Sequence, residues 1–265
     1  MDNSRNFIAS LARGLAVLGA FTKEKKFLTL TEISNITGIN KTATQRLTYT
    51  LQQLGYLERD ESKLFRLGPS TLSIGLAVLR NLEIRELAYP YLKDLSKKLG
   101  QTVNLSILDE TEIVVIERFE VRKIIDYHLQ IGSRLPAHCT SAGKAILAFL
   151  PIKNRDVILN KMSFEKLTEY TITDKAKLLK ELEMVRDKGF ALNSQELALG
   201  SRTTGAPIFS RDGQVIAAVS ISANASLFTL DQVESELSPH IIKLAEKISA
   251  MLGYDSSSVS YFDEL

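Results

Sequence analysis

The stretch Thr29–Leu67, TLTEISNITGINKTATQRLTYTLQQLGYLERDESKLFRL, limits the fold more tightly than any other part of the chain. Thr29-Leu-Thr-Glu32 is an S/T-x-x-E capping box, which satisfies orphan N–H groups at a helix start. Ile33 and Ile36 give that short helix an apolar side, and Gly38 ends it, because glycine takes the left-handed conformation a tight exit needs. Asn40 is placed to cap a second helix reaching about Leu54. Along it Ala43, Leu47, Leu51 and Leu54 recur at helical spacing and are expected to face the core. Lys41, Thr44, Gln45, Thr48 and Gln52 fall on the opposite side, with Thr42 and Arg46 among the polar positions. A face of amides, hydroxyls and cations without an acid suits a DNA major groove, where such groups read base edges and reach phosphates.

After Gly55, Tyr56–Asp60 and Lys63–Leu67 are two short strand candidates around a polar turn. Helix, turn, helix and hairpin is the order of a winged helix-turn-helix, in which Arg59, Lys63 and Arg66 on the wing would touch backbone phosphate. An ordinary helical hairpin with a solvated face is the alternative, since helix pairs with a glycine turn are common.

Charge favours the first reading. Residues 1–80 hold 11 Lys and Arg against 6 Asp and Glu, net +5, whereas the remaining 185 hold 22 against 25, net −3. A basic small domain beside a slightly acidic larger one is expected if only the first meets a polyanion. The chain has 265 residues, enough for two domains, and one cysteine, which excludes an internal disulfide and an all-cysteine metal cluster. MDNSRNFIAS lacks the apolar core of a signal peptide, and no apolar run is long enough to span a bilayer. A cytoplasmic protein with no membrane partner is expected.

Ser10–Thr22 is a helix candidate capped by Ser10, with Leu11, Leu15, Leu18 and Phe21 on one face and Arg13 as an exposed cation that would reach DNA. Residues 69–82 read as a linker helix whose leucines exceed what a free linker tolerates, so they are expected to pack against a partner chain. A helix over about 84–99 contains Pro90 and is expected to bend there. The period then becomes strand-like at 103–108, 113–117 and 124–129, and a loop with Gly132 and Pro136 leads to a helix over 141–150. Helices at 153–161 and 174–188, strands near 190–194, 203–209 and 215–222, a final helix over 231–252 and a loose tail complete the reading. Without β-α-β alternation, these elements predict an α+β domain around an antiparallel sheet.

Catalytic signals are weak. Ser141-Ala-Gly-Lys144 matches S-x-x-K, but its companion motifs S-D-N and K-T-G are absent. Gly143-Lys144 resembles the end of a phosphate loop, yet His138 stands where the required glycine should be and Ala145 replaces the magnesium-holding hydroxyl. An enzyme acting on a small carboxylic acid through Ser141/Lys144 or Cys139 is carried as the alternative function. The start of the helix at Ser141 either packs on the sheet or uses its free N–H groups to bind a carboxylate.

Four segments in order resemble the IclR family of bacterial transcriptional regulators: the helix-turn-helix, GSRLPAHCTSAGKAILAFLP at 132–151, KGFALNSQELALGSRTTGAPIF at 188–209 and VIAAVSIS at 215–222. SLARGLAVL at 10–18 and RLPAHCTS at 134–141 look most like the subgroup controlling the β-ketoadipate pathway of aromatic acid breakdown. The resemblance implies a winged helix-turn-helix over 8–68, a linker helix over 69–82, a GAF-like effector-binding domain over 83–254 and a flexible tail over 255–265. It implies a homodimer, or a dimer of dimers, on a palindromic double-stranded DNA operator, with a small organic acid as effector and no cofactor. By motif position the effector pocket would involve Tyr127, Leu135, Ser141, Ala142, Asn193, Thr203, Ser220 and Ser222. Asn193 stands where relatives can carry an acid, and Ser141 replaces a small residue of the glyoxylate-responsive type. Arg134 and Arg202 are the cations near these motifs. Arg202 is a candidate partner for the carboxylate, while Arg134 reads as an exposed salt bridge. Some relatives bind metal in this domain; with one cysteine and three scattered histidines, none is expected here.

Overall fold

The computed structural model describes residues 6–22, 24–120 and 129–255. They form two units, Met1–Asn81 and Leu82–Leu265.

In the first unit, α1 (Ala9–Gly19), α2 (Leu30–Thr37) and α3 (Lys41–Gln53) precede the hairpin β1 (Leu57–Arg59) and β2 (Phe65–Leu67), and α4 (Pro69–Arg80) follows. The capping box forms at α2: Thr29 N–H donates to Glu32 Oε2 at 2.7 Å while Thr29 Oγ1 accepts from Glu32 N–H at 3.2 Å. Gly38 ends the helix at φ 68°, and the Asn40 side chain caps α3 by accepting from Ala43 N–H. Leu28 bridges to Phe65, and the core joins Val17, Ala20, Leu28, Ile33, Leu57 and Phe65.

Two helical phases differ from those expected. Thr44 and Thr48 are buried in α3, at 0% and 1% exposure, and Leu54 is exposed. Thr44 Oγ1 donates to the carbonyls of Ile39 and Asn40, and Thr48 Oγ1 to that of Gln45. A hydroxyl satisfied by its own helix leaves the threonine methyl free to pack inward, so these residues behave as small core residues. In α1, Ile8 rather than Ser10 is the cap residue; Leu11 and Leu15 are exposed, and Val17 and Ala20 are buried. The sequence ASLARGLAVLG is apolar on most sides, so its pattern does not fix a phase; the buried side carries the small residues that let helices approach closely. Ile36 of α2 is exposed as well. No residue of α4 is buried.

The second unit opens with α5 (Glu83–Leu99), which carries Pro90 inside it. It continues through β3 (Thr102–Asp109), β4 (Glu112–Phe119), β5 (Arg134–Pro136), α6 (Ser141–Phe149), α7 (Ile152–Lys161), α8 (Lys175–Lys188), β6 (Ala191–Ser194), β7 (Ser201–Phe209) and β8 (Val215–Asn224). The sheet order is β5-β4-β3-β8-β7-β6, with every neighbouring pair antiparallel. Strand β5 replaces an expected loop: Leu135 pairs with Ile113 and buries its side chain, and Pro136, lacking an N–H, is tolerated because β5 is the outer strand among the described residues. The strand expected over 124–129 lies outside the described residues except for Leu129. The expected last helix is α9 (Leu230–Gln232), a π-helical stretch Val233–Leu237 and α10 (Ser238–Met251), with Pro239 removing one N–H from the ladder.

Both faces of this sheet are covered. Thr203 Oγ1 donates to Ser141 Oγ of α6 at 2.8 Å, whereas the Thr204 hydroxyl lies 2.8 Å from that of Ser238 at the start of α10. Successive strand residues point to opposite faces, so α6 and α10 sandwich β7. The α6 face is filled by Ala145, Ile146, Leu178, Leu182 and Ala191, with Ile113 and Leu135 continuing the cluster toward the far edge.

Candidate effector pocket and DNA-contact face

The solvent side of α3 presents Lys41, Thr42, Gln45 and Arg46, all exposed. Tyr49, 63% exposed and one turn beyond Gln45, shares that face and was missed, because placing Thr44 and Thr48 outward rotates the wheel away from it. Burial of Thr44 and Thr48 removes both from the base-reading set. The Asn40 carbonyl oxygen is committed to its cap, Arg13 is exposed on α1, and Arg66 pairs across the wing with Glu58 at 2.6 Å. Lys63 stands exposed at the turn of the wing with φ 64°, its N–H donating to Asp60 carbonyl. A lysine in the left-handed region costs backbone energy that glycine would avoid.

On the α6 side of the second unit's sheet lies a cavity that is partly open to solvent. Its floor is polar because the inward positions of the strands are polar. Thr102, Ser222, Thr203 and Asn193 are neighbours in one row across β3, β8, β7 and β6. Arg118, Asn104 and Ser220 form the next row on β4, β3 and β8. Val103 and Leu105 alternate with these residues and bury on the opposite face. The walls are apolar: Ile113, Val115, Leu129, Leu135 and Leu197. The cavity therefore has apolar sides and a few convergent polar groups, the general form of a small-molecule site.

Of the effector residues expected by motif position, Leu135, Ser141, Ala142, Asn193, Thr203, Ser220 and Ser222 line this cavity. Tyr127 lies outside the described residues. Arg202 is not brought there: its Nη1 donates to the carbonyls of Ala225 and Phe228 and its Nε to Ser194 Oγ, so it ties down the turn after β8. Arg134 is an exposed ion pair, with Asp109 and Glu112 each at 2.7 Å, and those carboxylates raise its pKa above the ordinary arginine value. Among the described residues the cation lining the cavity is Arg118, which motif position did not indicate; its signal was the alternation Thr102, Asn104, Ser106 in the paired strand, polar at every inward position.

The start of α6 reaches the cavity because two glycines let it. A Cβ on Gly205 would lie 2.8 Å from the Ser141 carbonyl carbon, and one on Gly143 would lie 2.2 Å from Ala137 O. Thr140 Oγ1 caps Gly143 N–H at 3.1 Å, leaving Ser141 and Ala142 at the cavity wall. Behind them Lys144, only 1% exposed, holds Glu196 at 2.5 Å, Glu181 at 3.1 Å and Leu192 carbonyl at 3.3 Å. Asn193 closes the network, donating to Cys139 carbonyl and accepting from Glu196 N–H. Burial raises the Glu196 carboxyl above its ordinary value, with Lys144 opposing that rise.

These bonds count against the catalytic alternative. The Lys144 ammonium is committed to Glu196 and Glu181, and the Ser141 hydroxyl accepts from Thr203. The Cys139 thiol is pushed up to about 12 by burial, so it is protonated at neutral pH and a poor nucleophile. Burial also lowers His138 below its ordinary value; its Nε2 faces Glu165 carbonyl rather than the thiol. Among the described residues no group of three or more His, Cys, Asp or Glu could hold a metal ion, and no helix is long and apolar enough to cross a membrane.

The family description "Bacterial transcriptional regulator IclR C-terminal" matches residues 76–250, and "IclR helix-turn-helix domain" matches residues 10–61. The chain belongs to the IclR family. It is 33% identical over 248 residues to the Pca regulon regulatory protein of Pseudomonas putida, covering 93% of this chain and 85% of that one. It is 32% identical over 239 residues to the p-hydroxybenzoate hydroxylase transcriptional activator of Acinetobacter baylyi, covering 87% and 88%. These relatives support the aromatic-acid subgroup within the IclR family. The crystal structure of an IclR homolog complexed with 4-hydroxybenzoate from Microbacterium hydrocarbonoxydans superposes with a TM-score of 0.78 at 23% identity, covering 92% of this chain and 99% of that one, a likeness of fold. The relatives are named as regulators, not enzymes, and the IclR assignment makes this chain a DNA-binding transcriptional regulator with a small-molecule effector domain.

Proposed function

We propose that this IclR-family regulator binds a palindromic operator as a homodimer and responds to a small aromatic carboxylic acid held in the cavity of its second unit. The cavity carries the reading: apolar walls from Ile113, Val115, Leu135 and Leu197 suit a ring, and Arg118 with Thr102, Asn104, Thr203 and Ser222 suits a carboxylate and a hydroxyl. The 4-hydroxybenzoate bound by the Microbacterium homolog and the names of the two relatives point to the same ligand class. Self-association is supported by α4, which leaves Leu72, Ile74 and Val78 each more than half exposed. Two copies of α3 in such a dimer would read half-sites about one helical turn, or a multiple of it, apart. Ligand acts by binding the operator-competent and operator-incompetent arrangements with different affinity. Binding to chromosomal DNA in this way places the protein in the cytoplasm.

The test is a thermal-shift screen of the full chain against 4-hydroxybenzoate, protocatechuate, β-ketoadipate, glyoxylate and pyruvate. A ligand present at a hundred times its Kd stabilises the fold by about 2.7 kcal/mol. A shift with an aromatic acid supports the reading, and a shift with glyoxylate or pyruvate alone overturns the aromatic assignment.

A further inference from the structure

Among the described residues Arg118 and Glu120 are the charged groups lining a cavity otherwise built from hydroxyls, amides and aliphatic groups. Its side chain is 12% exposed. Nη1 donates to Asn104 Oδ1 at 2.8 Å, and Nη2 lies 3.2 Å from Glu120 Oε1. Nε is buried and, among the described residues, has no hydrogen-bond partner. Thr102 Oγ1, one strand away in the same cavity, is likewise buried and unpartnered.

Guanidinium chemistry makes this pattern specific. Nε–H and the nearer N–H of Nη2 form one edge of the planar fork, the edge that takes a carboxylate side-on through two parallel bonds. Here that edge is half used. Glu120 touches Nη2 with one oxygen while its own side chain remains 39% exposed. Asn104 meanwhile fixes the far side of the fork through Nη1, so Arg118 cannot swing to collect a better partner without losing that bond. A buried donor without a partner carries a standing desolvation penalty that an incoming acceptor relieves.

We infer that Arg118 anchors the ligand's carboxylate, taking it side-on through Nε and Nη2, and that Glu120 is the internal carboxylate which occupies Nη2 until the ligand arrives. The inference rests on the cavity being the effector site and adds which group reads the acid. Glu120 is then a competitor: ligand binding exchanges a single rim contact for two bonds in a site with less water, and the displaced Glu120 returns to solvent. Thr102, in the row beside Asn104, offers the second unpartnered group. A carboxylate satisfies both sites by accepting from Nε–H, Nη2–H and the Thr102 hydroxyl. A neutral amide of the same shape cannot make the charged pair, so the arrangement selects acids over their amides.

The experiment uses the full chain and matched pairs: 4-hydroxybenzoate with 4-hydroxybenzamide, and benzoate with benzamide, by calorimetric titration. Wild type should prefer each acid over its amide. Arg118→Gln should weaken the acids about ten- to a hundredfold, the range that charge-assisted hydrogen bonds convert to at tenfold per 1.4 kcal/mol, and weaken the amides far less, because their neutral carbonyl makes no charged pair. Glu120→Gln should tighten the acids severalfold by removing the competitor. In parallel, the chain labelled with 15N-arginine reports the Arg118 Nε signal, assigned by its disappearance in Arg118→Lys. That signal should move with benzoate and with acetate, and less with benzamide. Acid preference retained by Arg118→Gln overturns the inference even if the aromatic acids bind. Binding by none of the aromatic acids overturns the proposed ligand class, while a shift of the Nε signal with acetate would still support Arg118 as the anchor. An Nε signal indifferent to every carboxylate overturns the anchor outright.

Discussion

Replacing Lys144 by Met leaves most of the side chain's volume in place and removes the one cation from a buried acidic network. Lys144 is 1% exposed and Glu196 9%, so Glu196 would lose its counter-ion with almost no water to replace it, whereas Glu181, at 23%, can turn partly outward. Removing one partner of a buried ion pair costs about 3–5 kcal/mol, nearly all of it here the stranded Glu196 carboxylate. For a domain of this size that corresponds to a fall of roughly 6–20 °C in Tm, at about 2–4 °C per kcal/mol.

The loss must depend on pH in a fixed direction. The folded Glu196 carboxyl already lies above its unfolded value, through burial, with Lys144 pulling it down. A group raised on folding contributes stability that is fully present below its unfolded pKa and is lost as pH rises through its folded pKa. Without Lys144 the folded value climbs further, so the gap between Lys144→Met and wild type should be smaller at pH 5 than at pH 8. Adding Glu196→Gln should recover most of the loss at pH 8. Denaturant unfolding at the two pH values, followed by circular dichroism, measures all of this. A gap of under 1 kcal/mol, or one equal at both pH values, would refute the claim that Lys144 serves as the buried counter-ion of Glu196.

Further outcomes follow from the geometry. Gln45→Ala should relax operator preference, Lys63→Ala should weaken all DNA alike and reduce the salt slope by about one, and Thr44→Val should alter stability more than sequence preference, as read by fluorescence anisotropy on operator and scrambled duplexes. Gly205→Ala places a methyl 2.8 Å from the Ser141 carbonyl carbon, so it should lower stability by about 1–3 kcal/mol and blunt the response to ligand in the thermal-shift assay. Leu72→Glu with Val78→Glu on α4 should shift the chain toward monomer in analytical ultracentrifugation without loss of helix signal. Arg85 joins the first turn of α5 to Glu117 at 2.9 Å and to Ile116 carbonyl at 3.2 Å, next to Arg118; Arg85→Ala should leave ligand affinity within about threefold while weakening the ligand's effect on operator binding, at less than the 1–3 kcal/mol usual for such coupling.

The sequence was most legible where a rule acts on neighbours. The Thr29–Glu32 capping box, Gly38, Asn40 and the wing are all local chemistry, and each appears in the structure as its residues require. It was less legible where a residue type serves two environments. Thr44 looks polar on a helical wheel but satisfies its hydroxyl internally, and α1 is too uniformly apolar to declare a phase. The short edge strand Arg134–Pro136 escaped because proline argues against a central strand and says nothing about an edge. Motif position pointed to hydroxyl and helix-start residues that line the cavity and to a cation that does not. Arg202 lies inside a recognisable motif and is spent on backbone carbonyls; Arg118 lies in no motif, and only the pairing of β4 with β3 brings it beside Asn104.

The cavity floor is assembled from both ends of its unit. Asn104 of β3 meets Ser222 of β8 across 118 positions of sequence, and the β3–β8 pairing is the seam that joins two three-stranded halves into one sheet. Each half can form from contacts closer in sequence, but the seam must close a long loop first, a step that is slow and entropically costly. On the ribosome, β8 emerges long after β3, so the nascent chain completes its helix-turn-helix well before it possesses a floor on which a ligand can rest. DNA binding and ligand sensing are therefore acquired in that order. For an interval during synthesis, the chain holds a finished helix-turn-helix and no site in which a ligand can rest.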